Sequence, residues 1–466
     1  MANYDVFVIG AGPGGYVAAI RAAQLGNKVA IVDRAFLGGV CLNIGCIPSK
    51  ALLKNAEVAH TLLHRGEEFG FSFDNLSLDY GSAVKRSRQV SERLVKGVEF
   101  LMKKNKIDVI WGSAKLTAKD TVSVTPNDGG KATEHKAKHI VIATGASPIA
   151  VPGVEVDGKQ VLTYKEAILQ ETLPKSAVIV GGGAIGLEFA TVWSSYGVKV
   201  TLVEMLDRIA PLEDEEVSKE LAKQMGKNGI TVKTGTKLEK VAAGKGGVKV
   251  SVSGKDGQET IEAEQVLMAI GFRPNTKDIG LEAAGVKLGQ RGEIEIDERM
   301  ATSVPGIWAV GDVTAKLMLA HVGSAMGIVC AENIAGIETV KLDYRMMPRA
   351  TYCHPQVASF GLTEAQAKEA GHQVKVSRFN FQANGKALGL GDYSGWVKLI
   401  TDERYGEILG AHMIGPEVTE LLPELTIAQM AELTAAEVAR NVHAHPSLSE
   451  VLMEVAHAAE GQAIHM

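Results

Sequence analysis

Val6-Phe7-Val8-Ile9-Gly10-Ala11-Gly12-Pro13-Gly14-Gly15 is the stretch whose reading decides the fold. Four apolar residues in a row fit a short strand buried on both faces. The glycines after it have the spacing G-x-G-x-x-G, and an alanine-rich helical pattern follows. A second apolar run, Val29-Ala30-Ile31-Val32, then closes on Asp33. In such a unit Gly10 permits the tight turn, Gly12 lets backbone approach a pyrophosphate, and Gly15 lets helix and strand pack closely. Gly14 lies in the same loop. The helix start offers free N–H groups and a positive dipole end to phosphate, and the terminal acid accepts hydrogen bonds from ribose hydroxyls.

The unit occurs twice. Val178-Ile179-Val180 leads into Gly181-Gly182-Gly183-Ala184-Ile185-Gly186, then a helix, then Val198 to Glu204. Strand, glycines, helix, strand and acid recur in register, so two dinucleotide sites are expected. A carboxylate at Glu204 repels a 2′-phosphate, which favours NAD over NADP at the second site. Arg208 nearby is read as a member of a surface ion pair. The fold class is therefore α/β: two Rossmann-like dinucleotide-binding domains, at residues 1–147 and 148–274. Residues 275–345 read as a central segment completing the first site. There Ile307-Trp308-Ala309-Val310 is a buried strand ending in Gly311-Asp312, whose carboxylate can bind a polyol hydroxyl. Near Tyr344 the pattern changes. Strands at Trp396 to Thr401 and Ile408 to Ile414 alternate with helices such as Glu364 to Ala370, so residues 346–466 form a separate α+β domain.

Charge is near balance, at −5, and no basic block points to nucleic acid. Although 46% of residues are hydrophobic, no apolar run approaches the ~20 residues that cross a bilayer. The start, Met1-Ala2-Asn3-Tyr4-Asp5, leads directly into a strand, and a cytoplasmic location is expected. Four cysteines are too few for a secreted disulfide framework. Cys330, in an apolar helical stretch, and Cys353, in a β-like stretch, read as inert core residues.

Cys41 and Cys46 are different. They lie in Cys41-Leu42-Asn43-Ile44-Gly45-Cys46-Ile47-Pro48-Ser49-Lys50, just after the first dinucleotide unit. Five helical residues rise ~7.5 Å, more than the ~6.8 Å between Cα atoms that a disulfide tolerates. The segment must bend for the pair to meet, and Gly45 and Pro48 are placed to bend it. Lys50 falls one helical turn after Cys46, where a cation stabilises a thiolate or a reduced flavin. Far downstream, His443-Ala444-His445-Pro446-Ser447-Leu448-Ser449-Glu450 precedes a helix. Glu450 can orient an imidazole, making a general base poised near neutral pH. A metal site at His443 and His445 lacks a third ligand nearby.

On these motifs, with Ala-Val-Gly-Asp at 309–312 and Leu-Ala-His at 319–321, the chain resembles the pyridine nucleotide–disulfide oxidoreductases over essentially its whole length. Within them it is similar to the dihydrolipoyl dehydrogenase branch. The resemblance implies FAD on the first fingerprint and NAD on the second. It implies a homodimer with the C-terminal domain as interface and His445 acting on the cysteine pair of the other subunit. It makes Cys41 the interchange thiol and Cys46 the thiol facing the flavin, with Lys50 paired to Glu188. Asp312 and Ala320 would contact the FAD polyol and pyrophosphate, and Ala114 and Thr144-Gly145 the adenine side. Val241 and Gly271 would be NAD contacts. The reaction implied is oxidation of dihydrolipoamide, carried on the lipoyl domains and acyltransferase core of 2-oxo acid dehydrogenase complexes or on the glycine cleavage carrier protein. No membrane or nucleic acid partner is implied.

Related activities fit less well. A glutathione reductase needs an NADP-type second site. A mercuric reductase needs a further cysteine pair near the end Gln462-Ala463-Ile464-His465-Met466, and a coenzyme A disulfide reductase carries a single active cysteine. A purely structural assembly subunit would not need Cys41, Cys46, Lys50 and His445 together. The chain departs from the family pattern at Asp33, where Glu is more usual, and at Val322-Gly323-Ser324-Ala325-Met326-Gly327, where many members carry acidic residues.

Overall fold

A computed structural model describes residues 2–149, 151–255 and 257–465. The strand Ala2–Ile9 lies between Val29–Asp33 and Thr133–Ile142, all parallel, and Ile307–Ala309 extends the sheet beyond Thr133–Ile142. The strand Asp108–Ala118 pairs parallel with Val29–Asp33 and then turns back, antiparallel, through Thr121–Pro126. The polar first half of Thr133–Ile142, Thr133 to Lys136, belongs to the strand because it pairs with Thr121–Pro126.

Alternation along Ala2–Ile9 divides the core. Val6 and Val8 face the helices Pro13–Gln24 and Ala320–Ile334, through Ala18, Ala19, Ala22, Val322 and Met326. Phe7 and Ile9 face Leu116, Val122 and Val124 on the other side. Both faces are covered, hence the unbroken apolar run. The two helices touch through small residues. A Cβ on Gly327 would stand 2.5 Å from the Gly14 carbonyl oxygen, and one on Gly14 would stand 3.1 Å from that of Gly323. Gly323 and Gly327 thus build the contact that seats the first glycine helix.

The second unit repeats the plan with five parallel strands in the order Thr231–Lys233, Lys199–Val203, Ser176–Val180, Gln265–Met268, Val161–Leu162. An antiparallel meander of Lys237–Gly244, Gly247–Gly254 and Gly257–Ala263 packs on it. Ala146–Pro148 and Phe272–Pro274 pair antiparallel and join the two units.

The third sheet is antiparallel, in the order Arg349–Thr351, Gln356–Gly361, Ile408–Gly415, Trp396–Asp402, Val374–Asn380. The helices Val418–Met430 and Glu450–Ala459 cover it. The helix Glu364–Glu369 starts at a capping box of Thr363 and Gln366. Lys398, buried in this sheet, reaches Asp214 of the second unit at 3.1 Å and Glu364 at 3.2 Å, an ion cluster that ties the two parts together. Cys330 and Cys353 are buried as expected, but Cys353 lies in the turn after Arg349–Thr351 rather than in a strand.

Candidate functional site

The redox segment bends where sterics require. A short helix, Gly39–Ile44, ends at Gly45, whose φ of −136° and ψ of −115° break it, and a long helix, Cys46–His64, begins at the next residue. A Cβ on Gly45 would lie 2.9 Å from the Val40 carbonyl oxygen. Pro48 stands in the first turn of the new helix, where its missing N–H costs nothing. Cys46 therefore sits at a helix N-terminus, a place that favours thiolate.

Both thiols are free and hydrogen-bonded to each other. That bond, with burial, pushes the Cys41 thiol above the ordinary range. The same bond, helped by the Lys50 ammonium, holds Cys46 below it against burial. The pair is thus polarised, with the negative charge favoured on Cys46 over Cys41. Asn43, buried between them, donates to the carbonyls of Leu37 and Gly39, each at 2.9 Å. Arg88 of the helix Tyr80–Lys104 donates to the Asn43 carbonyl.

Lys50 Nζ meets both Glu188 carboxylate oxygens at 2.9 Å. The pair crosses from the redox helix to the glycine helix of the second unit, Ala184–Ser195, because Leu52 and Ala56 pack against Leu187 and Ala190. Burial opposes the Lys50 charge, but Glu188 overrides it and the ammonium titrates above the ordinary lysine range. The Tyr352 N–H, from the third sheet, donates to Glu188 at 3.1 Å. Sequence reasoning missed Tyr352, and nothing local marks it.

The two fingerprints have the same geometry. Gly10 and Gly181 have φ of +103° and +112°, and a Cβ on either would strike the Ala143 or Ala269 carbonyl at 2.2 or 2.3 Å. A Cβ on Gly15 or Gly186 would lie 1.9 or 2.0 Å from the carbonyl oxygen of Gly10 or Gly181. Gly12 and Gly183, in contrast, face open space, with nothing within 4 Å of a Cβ. The helices Pro13–Gln24, Ala184–Ser195 and Ala320–Ile334 start without a capping side chain. Asp79, Thr163, Asp214, Thr363, Asn384 and Thr434 cap other helices, while Cys46–His64, Val418–Met430 and Glu450–Ala459 also start uncapped, so the open glycine is what sets the fingerprint helices apart. Free N–H groups beside an open glycine are what a pyrophosphate needs.

Asp33 and Glu204 hold their own loops. Asp33 accepts from the Ala11 N–H at 2.8 Å and from the Ala35 N–H at 2.8 Å. Glu204 accepts from the Gly182 N–H at 2.6 Å and the Leu206 N–H at 2.8 Å. The shorter Asp33 side chain therefore makes the same loop bond as Glu204, with oxygen lone pairs left for a ribose. Arg208 does not form the expected ion pair among the described residues: Nη2 donates to the Pro211 carbonyl at 3.2 Å, which turns the guanidinium back onto its own loop.

A cavity of about 530 Å³ opens beside Gly10 and gathers Asp33, Ala114 and Thr144. Its floor is clamped by Asn275, also missed in the sequence. Asn275 Nδ2 donates to the Thr144 carbonyl at 2.9 Å, and Thr144 Oγ1 donates to the Asn275 carbonyl at 2.7 Å. Gly145, at φ +70°, turns the chain there. Apart from that cavity, after the strand Ile307–Ala309, Gly311, at φ +76°, presents Asp312, whose carboxyl burial alone pushes up to about 6. A half-buried carboxyl of this kind wants a hydroxyl donor, and Ala320 opens the helix that follows. These residues fit FAD. On the second unit, Gly271, at φ +115°, lies at the strand exit and Ile185 in the first helical turn. Val241 points into the apolar layer under the meander with Val180 and Val203. That set, apart from Val241, fits NAD.

His445 Nδ1 lies 2.9 Å from Glu450, whose other oxygen accepts from the Ser447 N–H at 2.7 Å. Burial works against the Glu450 charge, but these two partners hold its carboxyl below the usual range. The His445 side chain is 80% exposed, and among the described residues no hydrogen bond or ion pair joins it to Cys41 or Cys46. His443 is bound to Glu424 at 2.7 Å. Among the described residues, no group of three or more His, Cys, Asp or Glu could hold a metal ion, and no helix is long and apolar enough to cross a membrane.

The sequence profile described as pyridine nucleotide-disulphide oxidoreductase matches residues 4–327, and that of the family's dimerisation domain matches residues 347–456. The chain is 55% identical to the dihydrolipoyl dehydrogenase of Mycobacterium leprae, with 100% of each chain covered. It is 50% identical to that of Corynebacterium glutamicum and 44% identical to that of Bacillus subtilis, each over 99% of both chains. Among solved structures, LpdA from Mycobacterium tuberculosis superposes with a TM-score of 0.91 at 26% identity, covering 98% of this chain and 99% of that one. The HOCl-induced flavoprotein disulfide reductase RclA from Escherichia coli, as its Cu(II) complex, gives 0.87 at 26% identity, over 98% and 100%. With profile, length, both glycine loops and the thiol pair in agreement, the chain belongs to the pyridine nucleotide-disulphide oxidoreductase family.

Proposed function

We propose that this chain is a dihydrolipoyl dehydrogenase: it oxidises dihydrolipoyl groups to lipoyl groups and reduces NAD through the Cys41/Cys46 pair and FAD. The observation that carries the reading is the polarised thiol pair at a helix start, with Lys50 one turn on and ion-paired to Glu188 of the second dinucleotide unit. The relatives named above lend the substrate.

The chain's own residues act as follows. His445, held by Glu450, takes a proton from one substrate thiol. The resulting thiolate attacks Cys41 of the oxidised pair, forming a mixed disulfide, and Cys46 leaves as thiolate. The helix start and Lys50 make Cys46 a good leaving group. His445 passes its proton to the departing Cys41 sulfur and takes that of the second substrate thiol, which attacks the substrate sulfur bound to Cys41. The lipoyl ring disulfide closes, and Cys41 is released. Bound FAD supplies the two-electron chemistry that restores the Cys41/Cys46 disulfide and delivers hydride to NAD. Gly10, Gly12, Gly14, Gly15, Asp33, Ala114, Thr144, Gly145, Gly311, Asp312 and Ala320 would hold FAD. Gly181, Gly183, Ile185, Gly186, Glu204 and Gly271 would hold NAD.

In this reading the working site is shared. His445 faces outward in its own chain and serves the cysteines of the partner in a homodimer. The lipoyl groups would arrive on the acyltransferase core of a 2-oxo acid dehydrogenase complex or on a glycine cleavage carrier. A cytoplasmic location belongs to the same proposal, supported by a total of four cysteines, too few for the disulfide framework of a secreted chain. The test is subunit mixing. Cys41→Ser and His445→Gln dimers should each lose activity by orders of magnitude while staying yellow. Their re-associated equal mixture should regain up to about a quarter of it, because half the dimers are mixed and one of the two sites in each is intact. A mixture that stays inactive, with mixed dimers present, would refute the shared site.

A further inference from the structure

The Lys50 ammonium has a third neighbour besides Glu188 and the Cys46 thiol. Its Nζ lies 4.5 Å from the centre of the Tyr352 ring. The same residue's backbone N–H donates to Glu188 at 3.1 Å. Tyr352 follows the strand Arg349–Thr351, so one residue of the third sheet touches both members of an ion pair between the other two units. The Lys50 side chain is 34% exposed and that of Glu188 9%. In such a half-dry place the face of an aromatic ring attracts a cation without neutralising it.

A carboxylate alone would draw the ammonium fully toward Glu188. The ring offers a second, softer hold on the same ammonium. We propose that Tyr352 is a positioning residue: its ring face and its N–H together set where the Lys50 charge stands between Glu188 and the Cys46 thiolate. The inference rests on the reading of Lys50 as the cation beside the flavin-facing thiol. The charged groups around the ring are Lys50 and Cys46 on the redox helix, Glu188 on the second glycine helix and Glu420 on the helix Val418–Met430. Glu420 is remote enough from the pair that no bond joins it to Lys50 among the described residues.

The test uses the purified holoenzyme reduced by two electrons. The readout is the pH titration of the long-wavelength absorbance that a thiolate against oxidised flavin produces. Tyr352→Phe keeps the ring and the N–H and should titrate as wild type. Tyr352→Leu keeps the N–H alone, and its midpoint should rise by roughly 0.5–1 pH unit. Successively fluorinated phenylalanines at position 352 drain the ring face without changing its shape and should raise the midpoint stepwise. A purely structural role for Tyr352 would leave that series flat. A flat series, or a Leu variant that titrates as wild type, overturns the inference while leaving the proposed function intact. A wild-type enzyme whose reduced form shows no titrating band would overturn the reading of Cys46 and Lys50 on which it rests.

Discussion

Two glycines three residues apart in the second fingerprint should respond to alanine in opposite ways. Gly183 has φ of −81° and ψ of −178°, which alanine adopts freely, and its new Cβ would meet nothing within 4 Å. Gly183→Ala should leave stability within about 1 kcal/mol of wild type, the scale of a helix-cap change. The methyl would occupy the side from which a pyrophosphate approaches. Losing one charge-assisted hydrogen bond costs about 1.5–3 kcal/mol, so KM for NAD should rise roughly 10- to 100-fold. Gly186→Ala is the reverse case. Its Cβ would lie 2.0 Å from the Gly181 oxygen and 3.3 Å from Ile179 Cγ2. Relief needs the helix to move by about an ångström, an overpacking cost of about 1–3 kcal/mol or more. That helix carries Glu188, so the 2.9 Å contact to Lys50 should loosen as well. The assays are thermal unfolding of the FAD-loaded protein and steady-state kinetics against NAD. A Gly183→Ala enzyme with unchanged KM, or a Gly186→Ala enzyme as stable as wild type, would refute the reasoning.

Lys50→Met removes the cation one turn from Cys46. At roughly 6 Å and an effective dielectric of about 20 the loss is about 3 kcal/mol, which solvent screening at a one-third exposed side chain trims to about one pH unit. Cys46 is depressed in the native protein, so the thiolate should appear at higher pH in the variant, as read by thiolate titration of the reduced enzyme. Glu204→Gln gives up one of two loop bonds, to the Gly182 or the Leu206 N–H. It should lower stability by about 1–3 kcal/mol and narrow the preference for NAD over NADP in steady-state assays. Gly327→Ala, with a Cβ 2.5 Å from the Gly14 oxygen, should cost about 1–3 kcal/mol and speed FAD release. Its control is Gly226→Ala in the helix Glu215–Lys227, where nothing lies within 4 Å of the new Cβ. That variant should gain about 0.5–1 kcal/mol in thermal unfolding.

What the sequence reveals here is what is local. The glycine spacing, the acid closing each second strand and the Cys46-to-Lys50 turn are fixed within a few tens of residues by strand, helix and turn geometry. The bend at Gly45 follows from the reach of a disulfide alone. Other parts are set by contacts far apart in the chain. Tyr352 meets Glu188 across 164 positions, Asn275 meets Thr144 across 131, and Lys398 meets Asp214 across 184. No periodicity records such pairs. The acids Asp33 and Glu204 show a different shortfall. Sequence reasoning assigns them to ribose, whereas the fold first uses them to hold their own loop N–H groups. Val241 is the transferred contact that fits least, since it faces the apolar layer rather than the glycine loop. His445 is the residue one chain leaves without a redox partner: its pair with Glu450 is complete, and among the described residues no hydrogen bond or ion pair joins it to Cys41 or Cys46.

The most direct test of the central claim is steady-state NAD reduction by dihydrolipoamide with the purified yellow protein, beside its Cys41→Ser variant. Fast reduction of NAD, slow reduction of NADP and loss of both in the variant are the expected results. A yellow wild-type protein that leaves dihydrolipoamide unoxidised, or a Cys41→Ser enzyme that still turns it over, would contradict the claim.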